Sequence, residues 1–328
     1  MPIQACGASV SVVTCTYSEA RTAHVSRLIA VLQAQSASPA QIIVIVDHSP
    51  ELMARLRAEL SGVTVMPNVQ ARGLSGSRNS GIALATGDIV AFIDDDAVPA
   101  PKWVERLAAG YTEPNVIGVG GPVDPIWAAP VPRWFPAEFG WVVGCGYSGL
   151  PQRSAVVRNF IGCNMSFRRD ALHGIGGFRI GLGRIGVAPV GCEETEFCIR
   201  LIRDRPGHLL RFDPGPRVLH MVPENRMTWA YFRSRCYAEG RSKARVARIV
   251  GSSRALAVES SYVGRTLTAG VIRNISTSLR GDWTGFARAA VIVAGLATTV
   301  TGYVVGRWEL ASGRERLAVT APEATQLL

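Results

Sequence analysis

The chain has no Cys-x-x-Cys pair. Its seven cysteines (Cys6, Cys15, Cys145, Cys163, Cys192, Cys198 and Cys236) are odd in number, and Cys192 and Cys198, though close, have no His or Cys partner at zinc spacing. A structural zinc site is therefore disfavoured, and reduced, mostly buried thiols in a cytosolic protein are expected. No G-x-G-x-x-G follows the first apolar run and no Gly-Lys-Ser/Thr closes the glycine-rich loop after it, which argues against a dinucleotide fingerprint and a P-loop. There is no RNA-recognition or helix-turn-helix signature, so nucleic acid is not an expected partner. Residues 1–9 lack a basic stretch and the apolar residues 10–13 are too few for a signal peptide. No Ser/His/Asp or Cys/His arrangement offers a covalent nucleophile.

What is present is a chain of 328 residues, 48% hydrophobic, with a formal net charge of +10. That length suits one large domain or two closely packed ones, and the apolar content supports a sizeable core. A basic surface attracts anions, whether nucleic acid, anionic lipid or phosphorylated ligands, and charge alone does not choose among them.

The first third alternates. β-branched residues 10–17 predict a strand, residues 22–35 a helix, 41–47 a second buried strand ending in Asp47, 50–60 a helix and 63–65 a third strand. This β-α-β-α-β rhythm implies a parallel sheet with right-handed crossovers. Residues 71–81 read as a glycine- and serine-rich loop leading into a helix over 79–85, and helix N-termini suit phosphate or carbonyl groups.

The apolar run Ile89-Val90-Ala91-Phe92-Ile93 then meets Asp94, Asp95 and Asp96. Three adjacent carboxylates repel one another. A hard divalent cation, Mg²⁺ or Mn²⁺, takes oxygen ligands of this kind, often together with substrate phosphates. The carboxyl end of a parallel strand is also where open α/β sheets bind ligands. A solvated acidic turn is the competing reading.

Beyond a helix over 101–111 the texture changes. Residues 122–150 are rich in Pro, Gly and aromatics, including Trp127, Trp134, Phe135, Phe139, Trp141 and Tyr147. Such a long irregular segment reads either as a packed flap or as exposed aromatics for sugar rings or a membrane interface. Residues 159–170 predict a strand running into a helix start. A helix then opens with Glu193, Glu194 and Glu196 in its first turn, where acids favour the helix dipole but three exceed that need. A short strand ends at His220. Residues 228–254 are strongly basic and helical, and residues 289–306 form an uncharged apolar run, about 27 Å as a helix, marginal for spanning a membrane. The tail from Ala318 is expected to be disordered.

In order, these pieces are Thr16-Tyr17, Asp47, Gly-Leu-Ser-Gly-Ser-Arg78-Asn79, Asp94-Asp95-Asp96, Gly-Cys-Asn164-Met-Ser-Phe-Arg168-Arg, Gly176-Gly177-Phe178 and Glu193-Glu194-x-Glu196-Phe. Over roughly residues 9–222 the chain resembles the family 2 glycosyltransferases. The resemblance implies a GT-A fold, a Rossmann-like, mainly parallel central α/β sheet flanked by helices, here with a helical C-terminal extension. It implies inverting transfer from a nucleotide-diphosphate sugar with Mg²⁺ or Mn²⁺. It places Asp47 at the nucleobase imide and Arg78 at the base or ribose pocket. Asp94 falls beside the ribose, with Thr16, Tyr17 and Asp95 on the nucleotide-sugar. Asp96 falls on the metal, with Asp94 and His220 as further candidate ligands. Asn164 and Arg168 become sugar and pyrophosphate contacts. Glu194 stands where the family usually has Asp and is the expected general base, with Glu193 its rival.

The expected division is a nucleotide-sugar-binding half over 1–115, an acceptor-binding and catalytic half over 116–222 and a basic helical extension over 223–328. The Trp-rich segment and the apolar run point to a glycan or lipid-linked acceptor, an anionic membrane surface as partner, and a location at the cytoplasmic face of the membrane. A nucleotidyltransferase and a non-enzymatic basic adaptor are the competing functions; the first would want an early phosphate loop, and the second leaves both acidic clusters unexplained.

Overall fold

The computed structural model describes residues 7–186 and 190–313. Cys6 and the tail from Ala318 lie outside the described residues. The chain opens with β1 (Val10–Thr16), α1 (Thr22–Gln33), β2 (Gln41–Val46), α2 (Pro50–Glu59), β3 (Thr64–Pro67), α3 (Leu74–Leu84), β4 (Ile89–Ile93), β5 (Ala97–Pro99) and α4 (Trp103–Ala109). It continues with β6 (Val116–Gly120), β7 (Val123–Trp127), β8 (Ala155–Val157), β9 (Asn164–Arg168), α5 (Arg169–Leu172), α6 (Glu193–Asp204), β10 (Leu209–Phe212) and β11 (Val218–Val222). The last elements are α7 (Trp229–Val250), α8 (Ser252–Ala255), α9 (Glu259–Ser261), α10 (Thr268–Leu279) and α11 (Thr284–Ala311).

An eight-stranded sheet runs β3-β2-β1-β4-β9-β6-β10-β8. The pairs β1–β2, β1–β4, β2–β3 and β6–β10 are parallel, while β9 is antiparallel to both β4 and β6. Strands covered by helices on both faces are apolar throughout rather than alternating; β4 is buried at every position. The chain winds outward from β1 to β3 and then returns to β4 on the other side of β1. The crevice at the carboxyl ends of β1 and β4 is thus a topological switch point, the general ligand position in such sheets. A smaller sheet, β5-β11-β7, stands beside it. Asp94, Asp95 and Asp96 form the turn between β4 in the large sheet and β5 in the small one.

The glycine- and serine-rich stretch is a correction to the sequence reading. It is not a loop with a helix from residue 79, because α3 already begins at Leu74. Its small residues serve close approach: a Cβ at Gly76 would lie 2.0 Å from the Ala71 carbonyl oxygen, and one at Gly81 would lie 2.3 Å from Val13. α3 therefore sits hard against β1 and carries Arg78 inward.

The aromatic segment is likewise packed rather than exposed. Trp134 meets Trp229 and Phe232 edge-on with centroids 5.8 Å apart in both cases, and Phe139 lies 5.2 Å from Phe232. Aromatic pairs at these separations add about 0.5–1.5 kcal/mol each beyond their buried area. They tie α7 to the body that carries the two sheets.

The apolar run at 289–306 belongs to a longer helix, α11, of 28 residues. At 1.5 Å per residue this is about 42 Å, not the marginal length of the run alone. α11 packs along α7 through glycines. A Cβ on Gly240 would meet the Thr299 carbonyl oxygen at 2.0 Å, and one on Gly302 would meet the Tyr237 carbonyl oxygen at 2.1 Å. No side chain fits between the two backbones at these crossings.

Candidate active site

A cavity of about 680 Å³ opens at the switch point. Thr16 and Tyr17 enter it from the end of β1, Asp47 from β2, Arg78 from α3, the three aspartates from β4, Glu193 and Glu194 from α6 and His220 from β11. Two expected residues do not. Asn164 is fully buried, its amide oxygen accepting from the Trp103 indole at 2.9 Å and its amide nitrogen donating to the Pro122 and Pro216 carbonyls. Arg168 pairs in register with Ile89, at the opposite end of β4 from the aspartates, and donates to the carbonyls of Val116, Tyr111 and Glu113. Because β9 runs antiparallel to β4, its last residue lies at the far edge of the sheet. Neither residue lines the cavity.

The acidic side of the cavity is held by cations. Arg21 pairs with Asp95 and lies 3.3 Å from Asp96. Asp96 also meets His220 Nε2 at 3.2 Å and Arg226 at 3.9 Å. Burial opposes its ionisation, but the hydrogen bond and charge of His220, with the two guanidiniums, outweigh that and hold it well below the usual carboxylate range. Burial and the neighbouring Asp96 charge act the other way on Asp95, pushing it up to about 7 against the pull of Arg21. The ring nitrogen of His220 facing away from Asp96, Nδ1, sits 3.8 Å from Cys145 Sγ.

Donor atoms of Asp94, Cys163 and His220 lie within 4.8 Å of one another, and Asp96 adjoins His220. Two carboxylates and an imidazole suit a divalent first-row ion. Burial pushes the Cys163 thiol well above its ordinary value, and the oxygen and imidazole donors beside it suit a hard divalent ion better than a thiol does. Cys163 was not among the residues singled out from the sequence: a lone cysteine carries no spacing signal, and only the fold brings it beside Asp94 and His220.

Across the cavity, Glu193 and Glu194 are adjacent in sequence but differ in surroundings. Glu193 accepts from Arg78 Nη1 at 2.8 Å, in a buried pair, and Arg78 lies 3.6 Å from Asp94 on its other side. Glu194 has no such cation within an ion-pair distance among the described residues; its Oε1 accepts from the Thr195 hydroxyl at 3.1 Å. Its accessible edge faces the cavity rather than open solvent. Burial and then the Glu193 charge push it up to about 8, so the protonated form predominates at pH 7. Glu196, the third acid of that turn, is spent on Arg200 and Arg179 within the fold.

Asp47 accepts from the Asn68 amide at 2.7 Å and from the Gly73 backbone at 3.0 Å, fixing the entry to α3. The Tyr17 ring lies under the Arg21 guanidinium, 5.1 Å from its centroid. Sequence reasoning missed Arg21, and it also missed a second charged group deeper along the cavity. There Lys243 pairs with Glu259 at 2.6 Å and Glu239 at 3.4 Å, and Arg158 joins Glu259 at 2.8 Å. The i,i+4 spacing of Glu239 and Lys243 was legible, but which way α7 faces was not.

The model of the family described as "Glycosyl transferase family 2" matches residues 11–176. The chain is 38% identical over 240 residues to the glucosyl-dolichyl phosphate glucuronosyltransferase of Haloferax volcanii, covering 71% of this chain and 76% of that one. It is 27% identical over 304 residues to the succinoglycan biosynthesis protein ExoM of Rhizobium meliloti, covering 89% and 93%. Among solved structures it is similar to the mannosyltransferase PcManGT of Pyrobaculum calidifontis in complex with GDP-Man and Mn²⁺, with a TM-score of 0.54 and 16% identity over 89% of this chain and 87% of that one. That likeness carries the fold, which is of GT-A type.

Proposed function

The chain belongs to glycosyl transferase family 2, and we propose that it moves a sugar from a nucleoside-diphosphate sugar to a hydroxyl of a glycan or lipid-linked acceptor, inverting the anomeric centre. The observation that carries this is the placement of two unlike carboxylate groups across one cavity: Asp94 and Asp96 at the end of β4, and Glu194 on the first turn of α6. We assign residues 1–115 most of the donor site, with His220 and Arg226 joining it from later in the chain, 116–222 the acceptor side and the base, and 223–328 the extension.

The donor's base lies between Asp47, Arg78 and Tyr17, and its diphosphate faces Asp96, Asp94 and His220. Those three would hold a divalent ion, which would supply neutralising charge for the leaving diphosphate. The imidazole favours Mn²⁺ over Mg²⁺, since Mg²⁺ prefers oxygen alone. Arg226 and Arg21 stand beside Asp96 and add positive charge on the same side. Glu194 Oε takes the proton of the acceptor hydroxyl as that oxygen attacks in line from the face opposite the diphosphate. Glu193 orients Arg78 and takes no proton. A single displacement needs no enzyme nucleophile and inverts configuration.

The relative of Haloferax volcanii bears a glucuronosyltransferase name and acts on a dolichyl phosphate sugar by that name, which supports a lipid-linked acceptor here; a UDP-sugar is the donor we favour. We place the enzyme at the cytoplasmic face of a membrane. Calorimetric titration with UDP, GDP and CDP, with and without Mn²⁺, tests the donor site. Binding of one nucleotide that requires Mn²⁺ and is lost in Asp96→Ala supports it; no nucleotide binding under any condition overturns it.

A further inference from the structure

α11 is built inside out for a water-facing helix. Its buried stripe is made largely of small residues, among them Gly285, Ala289, Gly295, Gly302 and Gly306; Gly285 packs on α10, Gly295 on the aromatic cluster, and Gly302 and Gly306 on α7. Its outward stripe, Phe286, Ala290, Val293, Ala297, Val300 and Val304, repeats at helical spacing and contains no charge. Val293, Val300 and Val304 are each more than half exposed. Trp283 and Trp308, at 74% and 54% exposure, mark the two ends. Trp283 contacts Phe286 with centroids 6.1 Å apart, and exposed Leu279 stands at the end of α10, so the apolar surface continues around the turn. An apolar face of this extent on a soluble body marks a binding surface.

Charge identifies the occupant. Between residues 252 and 312 the carboxylates are Glu259, Asp282 and Glu309, and each is held in an ion pair, with Lys243, Arg288 and Arg241 respectively. Arg254, Arg265, Arg280 and Arg307 are exposed. An apolar stripe ended by tryptophans and flanked by exposed arginines matches the acyl and headgroup layers of an anionic membrane surface. Spanning is excluded by the partner helix. α11 is clamped backbone to backbone on α7, which carries Arg233, Arg235, Arg241, Lys243, Arg245 and Arg248. A transmembrane α11 would drag that charge into hydrocarbon.

The same face borders the active-site cavity. Val258 and Val300 are exposed and also line the cavity, and Tyr303 lines it beside them. Leu256, Leu267 and Leu296 continue an apolar wall inward toward the Lys243 group and Glu194.

We propose that α11 and the turn before it form an in-plane membrane dock, and that the acceptor enters the cavity from the bilayer side between Val258, Val300 and Tyr303, as a hydroxyl-bearing headgroup on a lipid carrier. This rests on the transferase reading and narrows its acceptor from glycan or lipid-linked to lipid-carried.

The test uses the full chain with vesicles of phosphatidylcholine and phosphatidylglycerol. Wild type floats with them, and a Phe286→Ser, Val293→Ser, Val304→Ser variant floats at least tenfold less, while its Mn²⁺-dependent nucleotide binding stays within twofold of wild type. Equal flotation of the two, or none for wild type, overturns the dock; loss of nucleotide binding in wild type instead overturns the transferase reading. Vesicles carrying a diazirine-tailed phosphatidylcholine then map the contact by mass spectrometry. Adducts on the 286–308 stripe and at Val258 or Tyr303 support bilayer-side entry. Adducts on the stripe but on neither Val258 nor Tyr303 overturn it, and adducts along α7 as well overturn the in-plane placement.

Discussion

Arg78 Nη1 lies 2.8 Å from Glu193 Oε1, in a buried pair that joins α3 to the first turn of α6 across the mouth of the sheet. The same guanidinium stands 3.6 Å from Asp94. One cation therefore links the donor-side acids to the helix that carries the proposed base, and it distinguishes two adjacent glutamates: Glu193 is neutralised and held, while Glu194 is left to face the cavity.

The two glutamates should part company in stability. Removing one partner of a buried ion pair leaves an uncompensated charge, at a cost of about 3–5 kcal/mol. Glu193→Gln is expected to lose stability on that scale, lowering the urea midpoint markedly. Glu194→Gln replaces a mostly protonated carboxyl by its neutral isostere and should change stability by no more than about 1 kcal/mol. Equal losses in the two variants would remove the distinction.

The pH dependence follows from the sign of the Glu194 shift. Its carboxyl is raised to about 8 by burial and by Glu193. Below that value it is protonated and cannot accept the acceptor's proton, so activity should climb with pH, about tenfold per unit, and level off above about 8. In Glu193→Gln the carboxylate repulsion is gone and Arg78 is freed toward Glu194, so the limb should move to lower pH. Initial rates between pH 6 and 9.5 check both statements.

Asn164 should behave as a structural residue. Asn164→Ala strands the Trp103 indole N–H and two carbonyls that it satisfies in the interior, each worth about 1–3 kcal/mol when left unpaired. A lowered unfolding midpoint with unchanged nucleotide affinity is expected from calorimetry of the folded variant. A large loss of donor affinity without destabilisation would return Asn164 to the site.

The sequence was most informative where burial leaves a simple signature. β1, β2 and β4 read as continuous apolar runs, and the acids Asp47 and Asp94 to Asp96 announced themselves by standing at their carboxyl ends. It was least informative where geometry depends on a distant partner. The small residues of α3 look like a flexible loop until Ala71 and Val13 are seen pressed against Gly76 and Gly81. Asn164 and Arg168 sit in a recognisable motif, but the Asn164 side chain is tied into the interior by Trp103, Pro122 and Pro216, and the antiparallel direction of β9 carries Arg168 to the far edge of the sheet. Arg21 and Cys163 carry no local pattern, and the i,i+4 pairing of Lys243 with Glu239 does not tell which way α7 faces; they reach the site only because the turns before α1 and β9, and α7 itself, are folded around it. Likewise the length of the apolar run 289–306 did not reveal that glycines bind α11 to α7 and turn its large side chains outward.

The central claim is that Glu194 takes the acceptor's proton opposite a metal-held diphosphate. It is tested most directly by comparing wild type with Glu194→Gln for Mn²⁺-dependent nucleotide binding and for sugar transfer to acceptors in a membrane extract. The account predicts binding within twofold of wild type and transfer reduced by about 10²–10⁴-fold, the range of general-base catalysis. Normal transfer by Glu194→Gln would contradict it.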